Sequence, residues 1–183
     1  MSKPHIVLGV TGSIAAYKAA DLTRLMMKRK WNVSVVMTAA ATRFVGELTF
    51  RTLSRNAVGV DMFDPGLEWM PDHIGLADRA DVLAIAPCTA NVIAKLAQGL
   101  ADDLLCATAL ACRAPLLIAP AMNDNMWDHP ATRNNVRLLK ERGVLWVEPA
   151  TGDLACNRQG RGRMAEPDAI AAAIATVLER KKL

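Results

Sequence analysis

The residues best equipped for chemistry lie in the segment 119–127, directly after the apolar run 114–118. That run predicts a buried strand, and ligands of open α/β sheets bind in the crevice beyond the carboxyl ends of the strands. Asn123 carries an amide that can donate hydrogen bonds to a carboxylate, while the methionines and the tryptophan offer polarizable or flat apolar surface for a planar ring. The alternative is an ordinary strand-to-helix loop. For Met126 and Trp127 we predict that anchoring role.

A second candidate segment is the long loop predicted from Pro149 to Arg163. Its part 151–164 contains three glycines, three arginines and Cys156, a composition that predicts no core element. Loops of this length without internal structure are often binding loops or lids. Glycines would let the loop fold over a ligand, arginines suit a phosphate or carboxylate, and Cys156 would then face that ligand. A surface loop with an incidental thiol is the alternative.

The start of the chain predicts a strand, a glycine turn and a helix. The apolar run 5–10 leads into Gly12 and Ser13, and helical periodicity follows over 14–27. Backbone N–H groups at that helix start, with the Ser13 hydroxyl, suit an anion. The glycine spacing is not G-x-G-x-x-G, and the next predicted strand ends in Thr38 rather than in an acidic residue that would hold a dinucleotide ribose. The pattern therefore favours a mononucleotide phosphate over NAD, although such a turn can also serve only to start a helix.

Strands alternate with helices along the rest of the chain, which predicts an α/β parallel sheet covered on both faces. The run 82–87 predicts a buried strand, followed by Thr89 and Asn91 at a helix start, where simple N-capping is the alternative role of Thr89. His73 opens a turn or short helix, and capping that element is its alternative role. Polar residues at several strand ends favour a phosphate-bearing cofactor. The other predicted elements are strands over 32–38, 57–60, 115–119 and 144–147, and helices over 39–53 (apolar members Phe44, Leu48 and Leu53), 91–98, 102–112, 129–142 and 167–181.

Length and composition restrict the class of protein. The 183 residues fit a single domain spanning 1–183, with 52% hydrophobic and 22% charged residues. The net charge of +4 comes mostly from scattered cations, which favours an anionic small molecule over nucleic acid. The four cysteines show no zinc spacing, so no metal is expected. We find no secretory signal and no apolar run near the ~20 residues of a membrane span, and we expect a cytoplasmic protein.

Five motifs together resemble those of the flavin-dependent cysteine decarboxylases, in the same order and over nearly the whole chain. They are Gly9 to Lys18, His73 with the Ala-Asp that follows, Pro87 to Asn91, Pro120 to Trp127, and Ala155 to Met164. The Pro-x-Met-Asn-x-x-Met-Trp and cysteine-loop motifs are specific, whereas the glycine turn is not. The resemblance implies a Rossmann-like or flavodoxin-like open sheet that binds FMN. It also implies homotrimers, often built into dodecamers, with sites at subunit contacts.

The reaction implied by the resemblance is decarboxylation of 4′-phosphopantothenoylcysteine to 4′-phosphopantetheine in coenzyme A biosynthesis. A plain amino-acid-derived carboxylate has no electron sink, so in this family flavin first oxidises the cysteinyl C–S unit to a thioaldehyde. Loss of CO₂ yields an enethiol, which reduced flavin and a proton convert to the saturated thiol. Bacterial members are often fused to the synthetase that makes the substrate. A stand-alone enzyme and one domain of a bifunctional protein both remain open.

The motifs also imply roles for individual residues. His73 is expected to be the base for thiol oxidation, Asn123 the holder of the substrate carboxylate, and Cys156 the proton donor to the enethiol. From charge alone, Arg161 or Arg163 is expected to meet the substrate phosphate. The residues at positions that match FMN contacts, of which the last two are expected to flank the ring, are Gly12, Ser13, Ile14, Thr38, Thr89, Ala90, Asn91, Val92, Ala121, Phe44 and Met122.

The sequence departs from the family pattern at several positions. The family's Pro-x-Ser-Ala-Asn-Thr becomes Pro-Cys-Thr-Ala-Asn-Val, so Cys88 is atypical and Val92 lacks a hydroxyl that would contact FMN. After the histidine, Gly75, Asp78 and Arg79 replace a glutamate, a basic residue and a tryptophan. These changes are expected to affect a subunit contact or the mouth of the site more than the chemistry.

Three other functions are compatible with parts of the pattern. A peptidyl-cysteine decarboxylase would share the core, but a phosphorylated substrate better explains the arginines at 158, 161 and 163. A flavin prenyltransferase would share the fold, but Asn123 and Cys156 in their motifs disfavour it. A non-catalytic flavoprotein that regulates a phosphatase usually carries acidic extensions, which this sequence lacks.

Overall fold

In the part of the chain that the structure describes, six parallel strands form one sheet, and two further strands pair in a separate antiparallel hairpin. The computed structural model describes residues 3–63, 72–153 and 159–181. The strands are β1 (His5–Val10), β2 (Asn32–Met37), β3 (Val58–Gly59), β4 (Val82–Cys88), β5 (Leu116–Pro120), β6 (Leu145–Trp146), β7 (Ala150–Asp153) and β8 (Gln159–Arg163). The helices are α1 (Ala16–Lys28), α2 (Glu47–Ser54), α3 (Asp72–Arg79), α4 (Ala90–Gln98), α5 (Leu104–Ala111), α6 (Asp124–Asp128), α7 (Pro130–Glu141) and α8 (Pro167–Arg180), with a 3-10 turn at Ala41–Arg43.

The strand order reverses between β1 and β4. From β1 the sheet continues through β2 to β3 on one side, and from β4 it continues through β5 to β6 on the other. This is the strand order of Rossmann sheets, whose ligands bind outside the carboxyl ends of the strands at the point of reversal. The predicted Rossmann-like or flavodoxin-like open parallel sheet is confirmed.

Both faces of the sheet are buried, as the apolar strands predicted. Along β1, Ile6 and Leu8 pack into a core shared with α1 and α8, whereas Val7 packs into a second core shared with α4, α5 and α7. All three side chains are 0% exposed. The continuous apolar runs therefore arise because successive residues enter two different cores.

The single helix predicted over 39–53 is wrong. The segment forms the 3-10 turn and then α2, separated by Gly46 in extended conformation (φ −70°, ψ 145°). The break changes which side chains face the core: Phe50 is fully buried, while the predicted apolar members Phe44 and Leu48 are 49% and 72% exposed.

The segment 149–163 contains regular structure, contrary to the prediction. Its ends form the β7–β8 hairpin, in which Ala150 is opposite Arg163 and Asp153 is opposite Gln159. The predicted helix over 129–142 is preceded by a separate short helix, α6. His129 divides the two helices because it adopts an extended conformation (φ −59°, ψ 133°), as residues before proline prefer.

Candidate functional site at the carboxyl edge of the sheet

Hydrogen bonds join the carboxyl ends of β2, β1, β4 and β5 into one continuous edge. The Thr38 N–H, just beyond β2, donates to the Val10 carbonyl of β1 (3.0 Å). The Ala121 N–H, just beyond β5, donates to the Cys88 carbonyl of β4 (3.0 Å). The turns after these four neighbouring strands therefore lie side by side, which brings together most of the segments predicted to bind cofactor and substrate.

The turn after β1 presents the start of the 13-residue helix α1 at this edge. The Ser13 hydroxyl accepts a hydrogen bond from the Ala15 N–H (3.3 Å). Gly12 lies against the turn after β2, since a Cβ at this position would be 2.5 Å from the Cβ of Ala40. The close approach of two turns thus requires the glycine. N–H groups at the helix start favour an anion here.

The turn after β4 starts α4. Thr89 is its N-cap, because its Oγ1 accepts from the Val92 N–H (3.4 Å), which confirms the capping role weighed for this residue. Ala90 is half-buried and Asn91 is exposed in the first turn. The Val92 side chain is only 2% exposed and packs into the second core, so it does not point to a ligand at the edge.

Thr11, which the sequence patterns did not single out, joins the turns after β1 and β4. Its hydroxyl donates to the Pro87 carbonyl (2.9 Å) and accepts from the Thr89 N–H (3.0 Å). Its own N–H also donates to the Pro87 carbonyl (3.3 Å). The side chain is 0% exposed. A hydroxyl residue between a buried apolar strand and a glycine turn is the sequence signal that could have revealed it.

Asn123 begins α6 just beyond β5. Its Oδ1 accepts from the Asn125 N–H (2.9 Å), so the amide oxygen serves as the helix cap and the amide nitrogen is the end able to donate to a carboxylate. Trp127 is 1% exposed and packs into the second core, whereas Met126 is 48% exposed. The predicted anchoring role is confirmed for Trp127 and wrong for Met126. Met122 is half-buried against the same core.

The β7–β8 hairpin docks on the segment that contains Asn123. The Met122 N–H donates to the Gly162 carbonyl (3.0 Å), and a Cβ at Gly162 would overlap the Met122 carbonyl oxygen. A Cβ at Gly160 would be 2.8 Å from the Cβ of Asp124. These glycines therefore permit close backbone packing rather than loop flexibility. Cys156 lies in 154–158, outside the described residues, so its predicted place at the ligand stays a prediction.

Arg161, one of the two arginines predicted to meet a phosphate, belongs to an ion-pair cluster around Glu148. Its guanidinium lies 2.9 Å from Glu148 Oε2, and Lys140 Nζ lies 2.7 Å from Oε1. Burial raises the pKa of Glu148, but the hydrogen bond from Lys140 and the two positive charges outweigh it and hold the pKa below its ordinary value. Arg161 also lies over the Trp127 ring, 5.9 Å from its centroid.

Arg163, the other predicted phosphate contact, belongs to a cluster around Glu166. The Arg163 guanidinium and Lys18 Nζ both lie 2.9 Å from Glu166 Oε1. Lys18 is 7% exposed, an unusual burial for an ammonium group, and its hydrogen bond lowers the pKa of Glu166. The cluster ties the exit of the hairpin to α1.

His73 stands near the start of α3. The helix ends at Arg79, close to the amino edge, where the Asp81 N–H donates to the His5 carbonyl (2.8 Å). Because α3 leads back to the beginning of β4, its first turn points toward the carboxyl edge. The His73 Nδ1 is buried and has no hydrogen-bond partner among the residues that the structure describes. Such an atom is costly to bury, so a bound ligand is a natural partner for it.

The departures from the family pattern have local structural roles. Cys88 is fully buried in the second core, and burial raises the pKa of its thiol, which stays protonated. Arg79 donates to the Gly75 carbonyl (2.6 Å) within α3, and both Arg79 and Asp78 are exposed. Neither change places a new charge among the turns at the carboxyl edge.

The sequence and the fold match those of known proteins. The family model described as "Flavoprotein" matches residues 1–179. The chain is 47% identical over 170 residues to the coenzyme A biosynthesis bifunctional protein CoaBC of Bacillus subtilis (strain 168), covering 93% of this chain and 42% of that protein. The chain thus spans less than half the length of the curated relatives it matches.

Two solved structures share the fold over nearly their whole length. A cysteine-to-serine mutant of PPC decarboxylase complexed with pantothenoylaminoethenethiol has a TM-score of 0.87 and 33% identity, covering 97% of this chain and 100% of that chain. The FMN-dependent cysteine decarboxylase SpaF has a TM-score of 0.85 and 33% identity, covering 98% of each chain.

Proposed function

Because the chain belongs to the flavoprotein family, we propose that it is an FMN-dependent carboxy-lyase acting on 4′-phosphopantothenoylcysteine. The product is 4′-phosphopantetheine, and the reaction is the phosphopantothenoylcysteine decarboxylase step of coenzyme A biosynthesis. The observation that carries the proposal is the position of Asn123 at the start of α6, beside the turn after β4, which itself neighbours the turn after β1. The likeness to a PPC decarboxylase over the whole of that chain supports it. Since the chain spans 42% of a bifunctional relative, the proposal covers decarboxylation alone.

The residues at the carboxyl edge fit FMN. The starts of α1 and α4 offer backbone N–H groups beside the Ser13 and Thr89 hydroxyls, and neither turn contains an acidic residue that would repel a phosphate. Ile14 and Phe44, exposed by 60% and 49%, offer apolar surface for a ring on the turns after β1 and β2. When bound, FMN supplies the two-electron oxidant that turns the cysteinyl thiol into an electron sink for decarboxylation and then returns the electrons.

Asn123 would hold the carboxylate that is lost. A neutral amide donates hydrogen bonds to the carboxylate without the strong ion pair that a lysine or arginine would form. This matters because a strong ion pair would stabilise the starting carboxylate, and only interactions that strengthen toward the transition state accelerate the reaction. The hydrogen bond from the Asn125 N–H to Asn123 Oδ1 and the buried Trp127 keep the Asn123 amide in place.

His73 would accept the proton of the substrate thiol at Nδ1, the buried atom that lacks a partner among the described residues. A positioned base of this kind contributes on the order of 10²–10⁴ in rate. Cys156 would donate the proton that converts the enethiol to the saturated thiol. Support for this order of events comes from the similar PPC decarboxylase, whose cysteine-to-serine mutant is complexed with an enethiol compound.

We also propose a homotrimer, which can build into a dodecamer. Four large apolar side chains on α1, α2 and the turns before them support an interface: Ile14, Tyr17, Phe44 and Leu48 are 60%, 57%, 49% and 72% exposed.

Within the described ranges, the helices are too short or too polar to cross a bilayer. A cytoplasmic enzyme with a small-molecule substrate, and with neither nucleic acid nor membrane as partner, remains our proposal.

The test is to load the purified protein with FMN and compare three substrates. Phosphopantothenoylcysteine should release CO₂ and yield 4′-phosphopantetheine faster than pantothenoylcysteine without the phosphate or a peptide ending in cysteine. A protein that cannot be loaded with FMN would remove the proposal altogether. Faster turnover of the peptide would reassign the protein to the peptidyl-cysteine decarboxylases.

A further inference from the structure

We propose that Thr11 is the positioning residue that sets the geometry of the flavin site, acting through the turns after β1 and β4. The proposal rests on the proposed function for the identity of the ligand. Thr11 itself is 0% exposed and reaches no ligand at the edge. It would act by fixing the residues on either side of the strand reversal: Gly12 and Ser13 after β1, and Thr89 after β4.

Beyond the last regular pair of β1 and β4, hydrogen bonds of the Thr11 hydroxyl hold the two chain segments together. Regular pairing between β1 and β4 runs from Ile6 opposite Val82 to Gly9 opposite Ile85 and goes no further. Pro87 cannot extend the ladder because it has no N–H. Its carbonyl instead receives the Thr11 hydroxyl (2.9 Å) and the Thr11 N–H (3.3 Å).

The same hydroxyl also holds the start of α4. It accepts from the Thr89 N–H (3.0 Å), and Thr89 in turn caps α4 through its own hydroxyl. A hydroxyl that donates to one turn and accepts from the next is available only from serine or threonine among side chains of this size. Valine has the same shape but would leave the partly buried Thr89 N–H without this partner.

The contacts of Gly12 explain why loss of the Thr11 hydroxyl would affect ligand binding. The residue after Thr11 is Gly12, which lies so close to Ala40 that a Cβ would be 2.5 Å from the Ala40 Cβ. A shift of Thr11 toward or away from β4 therefore moves Gly12 relative to the turn after β2. The turns after β1, β2 and β4 would then lose their spacing relative to one another. Their backbone N–H groups at the carboxyl edge would no longer be positioned around the same ligand.

The experiment compares Thr11→Val with Thr11→Ser, using Thr108→Val as a matched control. Thr108 is also 0% exposed and also donates its hydroxyl to a backbone carbonyl, that of Leu104 (2.7 Å), but it lies in α5. FMN affinity of each apoprotein is measured by quenching of flavin fluorescence, and the melting temperature of each apoprotein by circular dichroism. Neither readout requires catalysis.

Thr11→Val should raise the Kd for FMN on the order of 10-fold, because the displaced turns would lose about one well-placed hydrogen bond to the ligand. Thr11→Ser and Thr108→Val should stay within about 2-fold of the wild type. A Thr11→Val protein with a lower melting temperature but unchanged FMN affinity would make Thr11 merely structural and overturn the proposal. An equal loss of FMN affinity in Thr11→Val and Thr108→Val would overturn the proposal too. If Thr11→Val does not fold, Thr11→Ala takes its place with the same expectation. Failure of the wild type to bind FMN would instead count against the proposed function.

Discussion

Replacing Glu166 with glutamine should remove the negative charge that Lys18 and Arg163 share. The side chain of Lys18 is 8% exposed and that of Glu166 is 56% exposed, so the pair is neither fully buried nor a surface pair. Removing one partner of a buried pair costs about 3–5 kcal/mol, whereas exposed pairs contribute about 0–1 kcal/mol. Because solvent screens the glutamate side, we expect a loss of about 2 kcal/mol in the free energy of unfolding. For a domain of this size that corresponds to a fall of about 4–8 °C in Tm.

The assay is urea unfolding of the wild type and Glu166→Gln at neutral pH, with Glu141→Gln as the matched control. Glu141 pairs with Arg137 at 2.8 Å, but both side chains are largely exposed, at 57% and 67%. Its replacement should cost less than about 0.5 kcal/mol. Comparable losses for the two variants would refute the special role of the Lys18–Glu166 pair.

Two further measurements separate the ion pair from other effects of the substitution. Glu166 also stands at the N-cap of α8, where a carboxylate stabilises a helix by about 0.3–1 kcal/mol. In a Lys18→Met background, Glu166→Gln should lose only that smaller amount and the contribution of the exposed pair with Arg163, about 0–1 kcal/mol. The pKa of Glu166 is lowered in the folded protein, so its contribution is present above its unfolded value near 4.5 and disappears as pH falls through the folded value. At still lower pH the two proteins should be equally stable.

Three other substitutions test the site directly. Gly12→Ala places a Cβ 2.5 Å from the Ala40 Cβ and should weaken FMN binding on the order of 10-fold by fluorescence titration. Gly46→Ala, with no atom within 4 Å of its Cβ, should leave the affinity unchanged, and equal affinities of the two variants would contradict the role of Gly12 at the cofactor site. Asn123→Asp sets a second carboxylate beside that of the substrate and should lower kcat/KM on the order of 10²-fold with the flavin spectrum unchanged. Wild-type rates would place the substrate carboxylate elsewhere. Cys156→Ser should release CO₂ yet stop at the enethiol, and normal output of 4′-phosphopantetheine would remove Cys156 from its role.

The central sheet and its functional edge could be predicted because both follow from local patterns. The apolar runs 5–10 and 82–87 match β1 and β4 to within one residue, since strands buried on both faces have no polar alternation to obscure them. Parallel strands then place their carboxyl ends on one edge without further information. That is why Gly12, Thr38 and Thr89 were brought together by sequence alone.

Apart from the helix broken locally at Gly46, the main failures concern contacts between residues distant in sequence. Gly160 and Gly162 suggested a flexible loop, but each lies against the backbone or side chain of the segment 122–124, which no local pattern indicates. Likewise, Thr11 resembles an ordinary residue of a strand-to-helix turn until β4 is placed beside it. The composition of a segment predicts only its local conformation. The roles of Gly160, Gly162 and Thr11 depend instead on tertiary contacts with other segments.

The expectation that Arg161 or Arg163 meets the substrate phosphate illustrates the same limit, and it stays a prediction. Each arginine shares its glutamate with a lysine: Arg161 and Lys140 meet Glu148, and Arg163 and Lys18 meet Glu166. Each cluster therefore contains two cations for one carboxylate and carries one surplus positive charge. If either arginine turned toward a substrate, the lysine would continue to neutralise the glutamate, so recruiting the arginine would leave no buried charge unpaired. Two such clusters at the base of one hairpin would offer surplus positive charge to a phosphate dianion, which supports our proposal of a phosphorylated substrate over a peptide.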